Sequence, residues 1–394
     1  MVESVAKIEV AAPILISKLV PYLQTALATK EDVLESNGDT SVTNTFISTC
    51  LDITTRLVRY LPKPIPLDVI KTLYPITIEK TLQSNDTQII QSGGETVRGF
   101  FASAGDQICQ MEGGLSAAEK VILHLLAPDQ PEFSASFAGR LVTLIVLKTQ
   151  GRSVFYSVFE NFSGANIQNI LSAVLVKLNT VSTLTVQQSL LLVFARLAIV
   201  DPAGLISFLE GAQATAPLLQ LWLDKQADMF GAYERRVTVA GLCKLIERGC
   251  VDGDAVMGSL SYNKKVVQQT TGRQTRSKKQ PDKFEQVPWL SQAMTIVSAE
   301  WATQKERDTI DDDDDDDEDY EDLDDDQEDR VEEINVGTVF IRTDKRSFVN
   351  YCQLLSEVLK PFIRWKFCRN SSLGPSGVSR VGGIRRRGRG GRKG

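Results

Sequence analysis

Few residues in this chain are equipped for bond-making chemistry. Its one histidine, His124, lies in the apolar helical stretch Val121-Ile122-Leu123-His124-Leu125-Leu126 and reads as a packed side chain. A single imidazole rules out H-E-x-x-H zinc sites and di-histidine metal centres, which need two. The six cysteines form no C-x-x-C pair. They read as reduced, buried thiols of an intracellular protein and not as a disulfide framework. No nucleophile elbow, P-loop, dinucleotide fingerprint or EF-hand is present. Gln91-Ser92-Gly93-Gly94-Glu95 has two glycines, but no strand precedes it and no Lys-Ser/Thr follows. It reads as a close helix–helix approach or a kink rather than a phosphate cradle. The chain is expected to be no enzyme and to use no cofactor and no metal.

The residues that can act do so through charge. Between Asp311 and Asp329, 16 of 19 residues are Asp or Glu. With those 16 set aside from the 50 acidic residues, 34 remain against 44 Lys and Arg, so the formal charge of −6 hides a basic remainder. Such a run has two readings. One is a solubilising segment. The other is a flexible counter-charge that follows the lysines and arginines of a basic protein, speeds its association and weakens with salt. In the second reading the cargo-binding residues are Asp311, Asp312, Asp313, Asp314, Asp315, Asp316, Asp317, Glu318, Asp319, Glu321, Asp322, Asp324, Asp325 and Asp326. These would repel nucleic acid. As a calcium loop the run fails, because it lacks spaced ligands and a turn glycine. Only the Arg/Gly-rich end, 380–394, offers RNA a basic strand, and that end also reads as an incidental terminus.

Helices must position these groups. Pro13 opens one helix, and another, 52–60, stops before Pro62, Pro64 and Pro66. In 132–149, Phe133, Phe137, Leu141, Leu144 and Ile145 make a helical stripe. In 184–198, Leu184, Leu191, Phe194, Ala195 and Ala198 do the same, while Gln187, Gln188 and Arg196 fall off the stripe and suit a partly wetted face. Breakers return at short intervals, and about eleven helices fit into about 250 residues. The repeat unit is then roughly 40 residues, the period of HEAT or armadillo arrays, whose helix pairs must stack to bury their faces. The expected fold is all-α: a HEAT/armadillo-type α-solenoid with a disordered acidic segment and a disordered basic tail. An irregular helical bundle is the alternative. The solenoid covers 1–249 and a basic flexible linker 250–287, with no packed contacts over 255–285. A helix follows at 288–306, the acidic segment at 307–335, a short helical segment at 336–362 and the Arg/Gly-rich tail at 363–394. Arg276-Ser277-Lys278-Lys279 passes either for a nuclear localisation patch or for solvated linker. No apolar run reaches the 18 residues of a membrane span, the longest strict one being Leu190–Ala195. Glu3, Lys7 and Glu9 break up any signal-peptide core.

Several stretches in this order resemble a known family. They are Gln91-Ser92-Gly93-Gly94-Glu95-Thr96-Val97-Arg98, the segment from Glu132 to Val142, the segment from Thr183 to Ala195, Tyr233-Glu234 with Ala240 to Leu245, and Thr275-Arg276-Ser277-Lys278. The acidic run follows where the family carries one. Over roughly residues 60–330 the chain resembles the C-terminal part of an importin-beta family karyopherin. The resemblance implies a nuclear import receptor, shuttling between cytoplasm and nucleus, that wraps basic cargo such as histones or ribosomal proteins in a HEAT superhelix. It implies release regulated by the small GTPase Ran in its GTP form, and nucleoporins as further partners. Receptors of the family are more than twice this length, and their main GTPase contact lies in N-terminal repeats without counterpart here. The chain is therefore expected to be a fragment. A histone chaperone, or a HEAT scaffold without transport activity, is the alternative.

Overall fold

The computed structural model describes residues 2–29, 40–149, 164–266, 283–311, 334–336 and 339–341. Twelve α-helices occupy the first 250 residues among those described: α1 Val2–Ala6, α2 Ala12–Ala28, α3 Thr40–Tyr60, α4 Leu67–Gln83, α5 Thr87–Gln110, α6 Gly114–Leu125, α7 Ser134–Thr149, α8 Gly164–Thr180, α9 Leu184–Val200, α10 Pro202–Gly211, α11 Thr215–Lys225 and α12 Ala232–Cys250. Their starts follow local chemistry. The Asp86 carboxylate accepts the amides of Gln88 and Ile89 at 2.9 and 3.1 Å and caps α5. Asp201 accepts the Gly204 amide at 2.8 Å, with Pro202 in the first turn of α10.

The helices form two rows. One is α2, α4, α6 and α8; the other is α3, α5, α7, α9 and α12. Each helix packs on the member of its own row before and after it, and successive helices cross from row to row. This is an α-solenoid of stacked helix pairs, and the fold is all-α. Its repeat shows in the hydrogen bonds between neighbours of the second row. Thr55 and Thr96 are 41 residues apart, Gln91 and Ser134 43, Ser136 and Ser189 53, and Gln188 and Phe230 42. The period expected from the breakers is therefore the period that the packing uses. Within that row register rises together: Gly94 lies against Phe137 while Gln91 meets Ser134, so α5 and α7 run the same way.

The glycine pair works as a close approach. A Cβ on Gly93 would be driven into the Thr81 side chain of α4, and one on Gly94 would sit 2.9 Å from Leu125 of α6. No strand or phosphate cradle is involved. The stripe on α7 is buried at Leu141, Leu144 and Ile145, but Phe133 is exposed, edge-on to Phe137 at 5.8 Å.

Two expectations are corrected. Gln187, Gln188 and Arg196 do not face water. Every residue of α9 from Val186 to Ile199 is buried, because α7 and α12 flank it in its row while α8 and α10 pack on it as well. The flexible linker is also ordered at both ends. Helix α13, Ala255–Ser259, is capped by Asp254 and buries Met257. Strands β1, Ser261–Val266, and β2, Lys283–Pro288, then pair antiparallel from Ser261↔Pro288 to Val266↔Lys283. Tyr262 donates to Asp224 at 2.7 Å, and the Asn263 amide donates to Gln220 at 2.9 Å, so the hairpin is pinned to α11. Packed contacts therefore exist within 255–285. Residues 267–282, including Arg276-Ser277-Lys278-Lys279, lie outside the described residues.

Helix α14, Trp289–Asp311, outruns the expected 288–306. Buried Trp289 donates its indole N–H to the Leu219 carbonyl at 3.1 Å, and Ala293 and Val297 continue the buried stripe. Two three-residue strands, β3 Ile334–Val336 and β4 Val339–Ile341, pair antiparallel where the sequence predicts a short helical segment from 336. The remainder of that segment and the tail 363–394 lie outside the described residues.

Candidate functional site

Of the acidic cargo-binding candidates, the structure describes only Asp311, the last residue of α14. Asp312 to Asp326 lie outside the described residues. What the structure does describe is where that run leaves the solenoid. Leu290 meets Gly249 at the end of α12, and Glu300 pairs with Arg235 at its beginning, at 3.9 Å. Helix α14 is thus antiparallel to α12 and delivers its acidic end towards the N-terminal ends of the second row.

Along that row the packing assembles two arginine groups that sequence reading missed. In the first, the Glu95 carboxylate accepts from Arg98 Nη2 at 2.6 Å and Nε at 3.0 Å, with Arg59 Nη2 at 3.4 Å from α3. Burial alone would raise the Glu95 pKa. The charge and hydrogen bonds of Arg98, with the Arg140 and Arg59 charges, outweigh it and hold the carboxyl below its ordinary range. Arg140 itself lies over the Phe137 ring, 4.6 Å from its centroid. Three arginines from α3, α5 and α7 share one carboxylate. Nearby, burial pushes the Asp52 carboxyl up, against a hydrogen bond from Ser92 and the charge of Arg56.

The second group lies on α9 and α12. Gln188 is satisfied on both sides by Phe230: its amide donates to the carbonyl at 2.9 Å, and its carbonyl accepts the Phe230 N–H at 3.0 Å. Ser189 donates to the Ser136 carbonyl at 2.8 Å, and Gln187 to that of Val181 at 3.0 Å. Arg196, 1% exposed, donates Nη2 to the Tyr233 hydroxyl and lies 5.3 Å from the centroid of that ring. Its Nε and Nη1 are buried without a hydrogen bond, as is the Oε1 of Gln187. One signal for this group stood in the sequence: Arg196 is the only charged residue from Leu184 to Val200. The signal for the first was the Glu95/Arg98 spacing of three, which faces the two side chains together on a helix.

Among the described residues no three His, Cys, Asp or Glu side chains gather where a metal would sit. His124 is half-buried on α6, in the packing position expected of it. Cys50, Cys109, Cys243 and Cys250 are all free thiols, and burial pushes those of Cys50 and Cys250 up, away from the reactive thiolate. No helix among the described residues is long and apolar enough to cross a membrane.

An array of stacked helix pairs joined repeat to repeat through polar side chains is an α-solenoid. Sequence comparison gives the family. The model of the importin-11-like, TPR-repeat family matches residues 16–344, and the chain belongs to this family of importin-beta karyopherins. It is 31% identical to Importin-9 of Drosophila melanogaster over 238 residues, 58% of this chain and 22% of that protein. It is 23% identical over 261 residues to Importin subunit beta-5 of Schizosaccharomyces pombe, 63% of this chain and 25% of that protein. The chain thus spans a quarter or less of the length of these relatives.

Proposed function

We propose that this chain is the cargo-recognising part of a nuclear import receptor. In this reading the solenoid face and the acidic run following α14 together hold a basic protein cargo such as a histone or a ribosomal protein. Ran in its GTP form regulates release, and the receptor shuttles between cytoplasm and nucleus. The observation that carries the reading is the family match over 16–344, together with the 16 carboxylates between Asp311 and Asp329 placed directly after the last solenoid helix. Carboxylates at that density repel nucleic acid and attract lysine- and arginine-rich protein.

The test titrates labelled histone dimer into the chain and into a version with Asp311 to Asp317 replaced by Asn, at low salt and at physiological salt. Each exposed pair contributes about 0–1 kcal/mol, so several together give a few. The variant should bind more weakly at low salt, and the gap should narrow above roughly 0.15 M, where charges are screened within about 8 Å. Equal affinities at low salt would leave the run a solubiliser. Loss of all histone binding by the intact chain at both salts would remove basic cargo from the proposal.

A further inference from the structure

We infer that Phe133, Leu184 and Phe230 form an apolar strip that anchors non-polar side chains of the basic cargo. The inference rests on the reading above and names the surface that the cargo uses beside the acidic run. The second-row helices α3, α5, α7, α9 and α12 run parallel, so their N-terminal ends share one edge. Hydrogen bonds join that edge from repeat to repeat. Asn44 donates to Asp86 at 3.0 Å, and Gln91 to Ser134 at 3.1 Å. Glu132 accepts the Ser182 and Thr183 amides at 2.6 and 2.5 Å, and Gln188 donates to the Phe230 carbonyl at 2.9 Å. Phe133 stands just before α7, Leu184 begins α9, and Phe230 stands just before α12. They hold neighbouring places on the edge, with about 10 Å from one helix to the next. Phe133 and Phe230 are 48% and 50% exposed, and Leu184 is half-buried between them.

A single exposed apolar side chain is ordinary surface. Three at the same place in successive repeats make a continuous strip, and the backbone of both phenylalanines is held. The Phe133 carbonyl accepts the Ser136 N–H and hydroxyl at 3.0 and 2.8 Å, and its ring stands edge-on to Phe137. Gln188 engages both the N–H and the carbonyl of Phe230. Anchors presented in this way lose little freedom on binding. The surrounding charge selects the partner. Asp129 and Asp228 are exposed in the segments leading into α7 and α12. Two nearby cations are engaged elsewhere: Lys177 donates to the Ala127 and Gln130 carbonyls, and Arg235 donates to that of Met229 and pairs with Glu300. From Glu300, which lies level with the start of α12, helix α14 continues to Asp311, about 16 Å further. It therefore carries the first residue of the acidic run past this edge. Aromatic anchors with a charged rim are the pattern of a protein interface, and a rim of carboxylates fits a basic protein.

The experiment titrates labelled histone dimer into the full chain, into a Phe133→Ser/Phe230→Ser chain and into a chain carrying Asp311→Asn through Asp317→Asn. Each titration is run at about 0.05 M and about 0.5 M salt, and Tm is recorded throughout. Salt screens charges and leaves apolar contacts in place. The phenylalanine pair should therefore weaken binding about tenfold at both salts, whereas the charge variant loses affinity at the lower salt alone. Val251→Ser is the control: Val251 is 60% exposed just beyond the opposite, C-terminal end of α12, and its loss should leave binding unchanged. A second measurement does not depend on how the serine variants fold. With p-benzoylphenylalanine placed at 230 or at 251, irradiation should cross-link histone to position 230 and not to 251. Serine variants that bind like the parent at both salts overturn the inference, as does a loss that disappears at high salt. Equal cross-linking from 230 and 251 overturns it as well. Absence of histone binding by the intact chain at both salts removes the basic-cargo reading itself, and the inference with it.

Discussion

The two arginine groups on the second helix row differ in one respect that governs their energetics. Around Glu95, arginines from three helices converge on one carboxylate, and charge is matched across α3, α5 and α7. Around Arg196 the Gln188 and Ser189 side chains are matched, while the guanidinium Nε and Nη1 and the Gln187 Oε1 have no hydrogen bond. Both sit at equivalent joints between repeats. In a solenoid each repeat touches only its neighbours, so joints can be built differently, one through a shared carboxylate and another through neutral hydrogen bonds.

Removing the shared carboxylate is the strongest way to break that contrast. Glu95→Ala should destabilise the chain by about 3 kcal/mol, because it removes the carboxylate that part-buried Arg59 and Arg98 share. Urea unfolding followed by circular dichroism would read it. Arg196→Met should do the reverse or nothing, and equal losses at the two sites would erase the difference. Next in size is Gly139→Ala. A Cβ there would stand 2.7 Å from the Ser189 carbonyl oxygen, and a backbone atom cannot move aside as a side chain does. A loss of about 2 kcal/mol is expected, measured in the same unfolding series. A smaller cost attaches to Gln188→Leu, which leaves the Phe230 N–H and carbonyl unpaired. It should be about 1–2 kcal/mol, with amide exchange of Phe230 accelerated.

The smallest effect separates the groups by pH. The Glu95 pKa is depressed in the folded chain. Its contribution is therefore fully present above the unfolded carboxylate value, about 4.3, and is lost as pH falls through the folded value. Glu95→Gln should lower stability at neutral pH and flatten the acid limb of the stability profile. Arginine keeps its proton throughout this range, so Arg196→Met should leave the acid limb unchanged. A parallel flattening in both variants would show the two groups to be one coupled network.

Much of the scaffold was legible from residues close together in the chain. Helices α7 and α9 follow from apolar spacing within one element, and α3 ends before the prolines at 62, 64 and 66. Gly93-Gly94 reads as a close approach because side-chain-free turns on a helix have few other uses, and the packing against Thr81 and Leu125 is that use. The period near 40 followed from helix length and breaker spacing, and the inter-repeat hydrogen bonds keep it.

Tertiary structure alone decided which polar side chains are buried. Spacing of three and four residues reports one helix and its one apolar face. It assigned Gln187, Gln188 and Arg196 to water, since a helix with a single neighbour would leave them there. In the stack α9 has neighbours on several sides, so groups that look like a wet face become the joints between repeats. The hairpin of β1 and β2 was hidden for a related reason. Its strands are polar and mostly exposed, and their order comes from pairing across 16 intervening residues and from Asp224 and Gln220 on α11, not from an apolar pattern of their own. The sequence by itself determined where the chain turns helical, how often the unit repeats and where the negative charge lies, because these depend on neighbours along the chain. The approach of Arg59 to Glu95 and of Tyr233 to Arg196 depends on partners 36 and 37 residues away, and only packing brings those together.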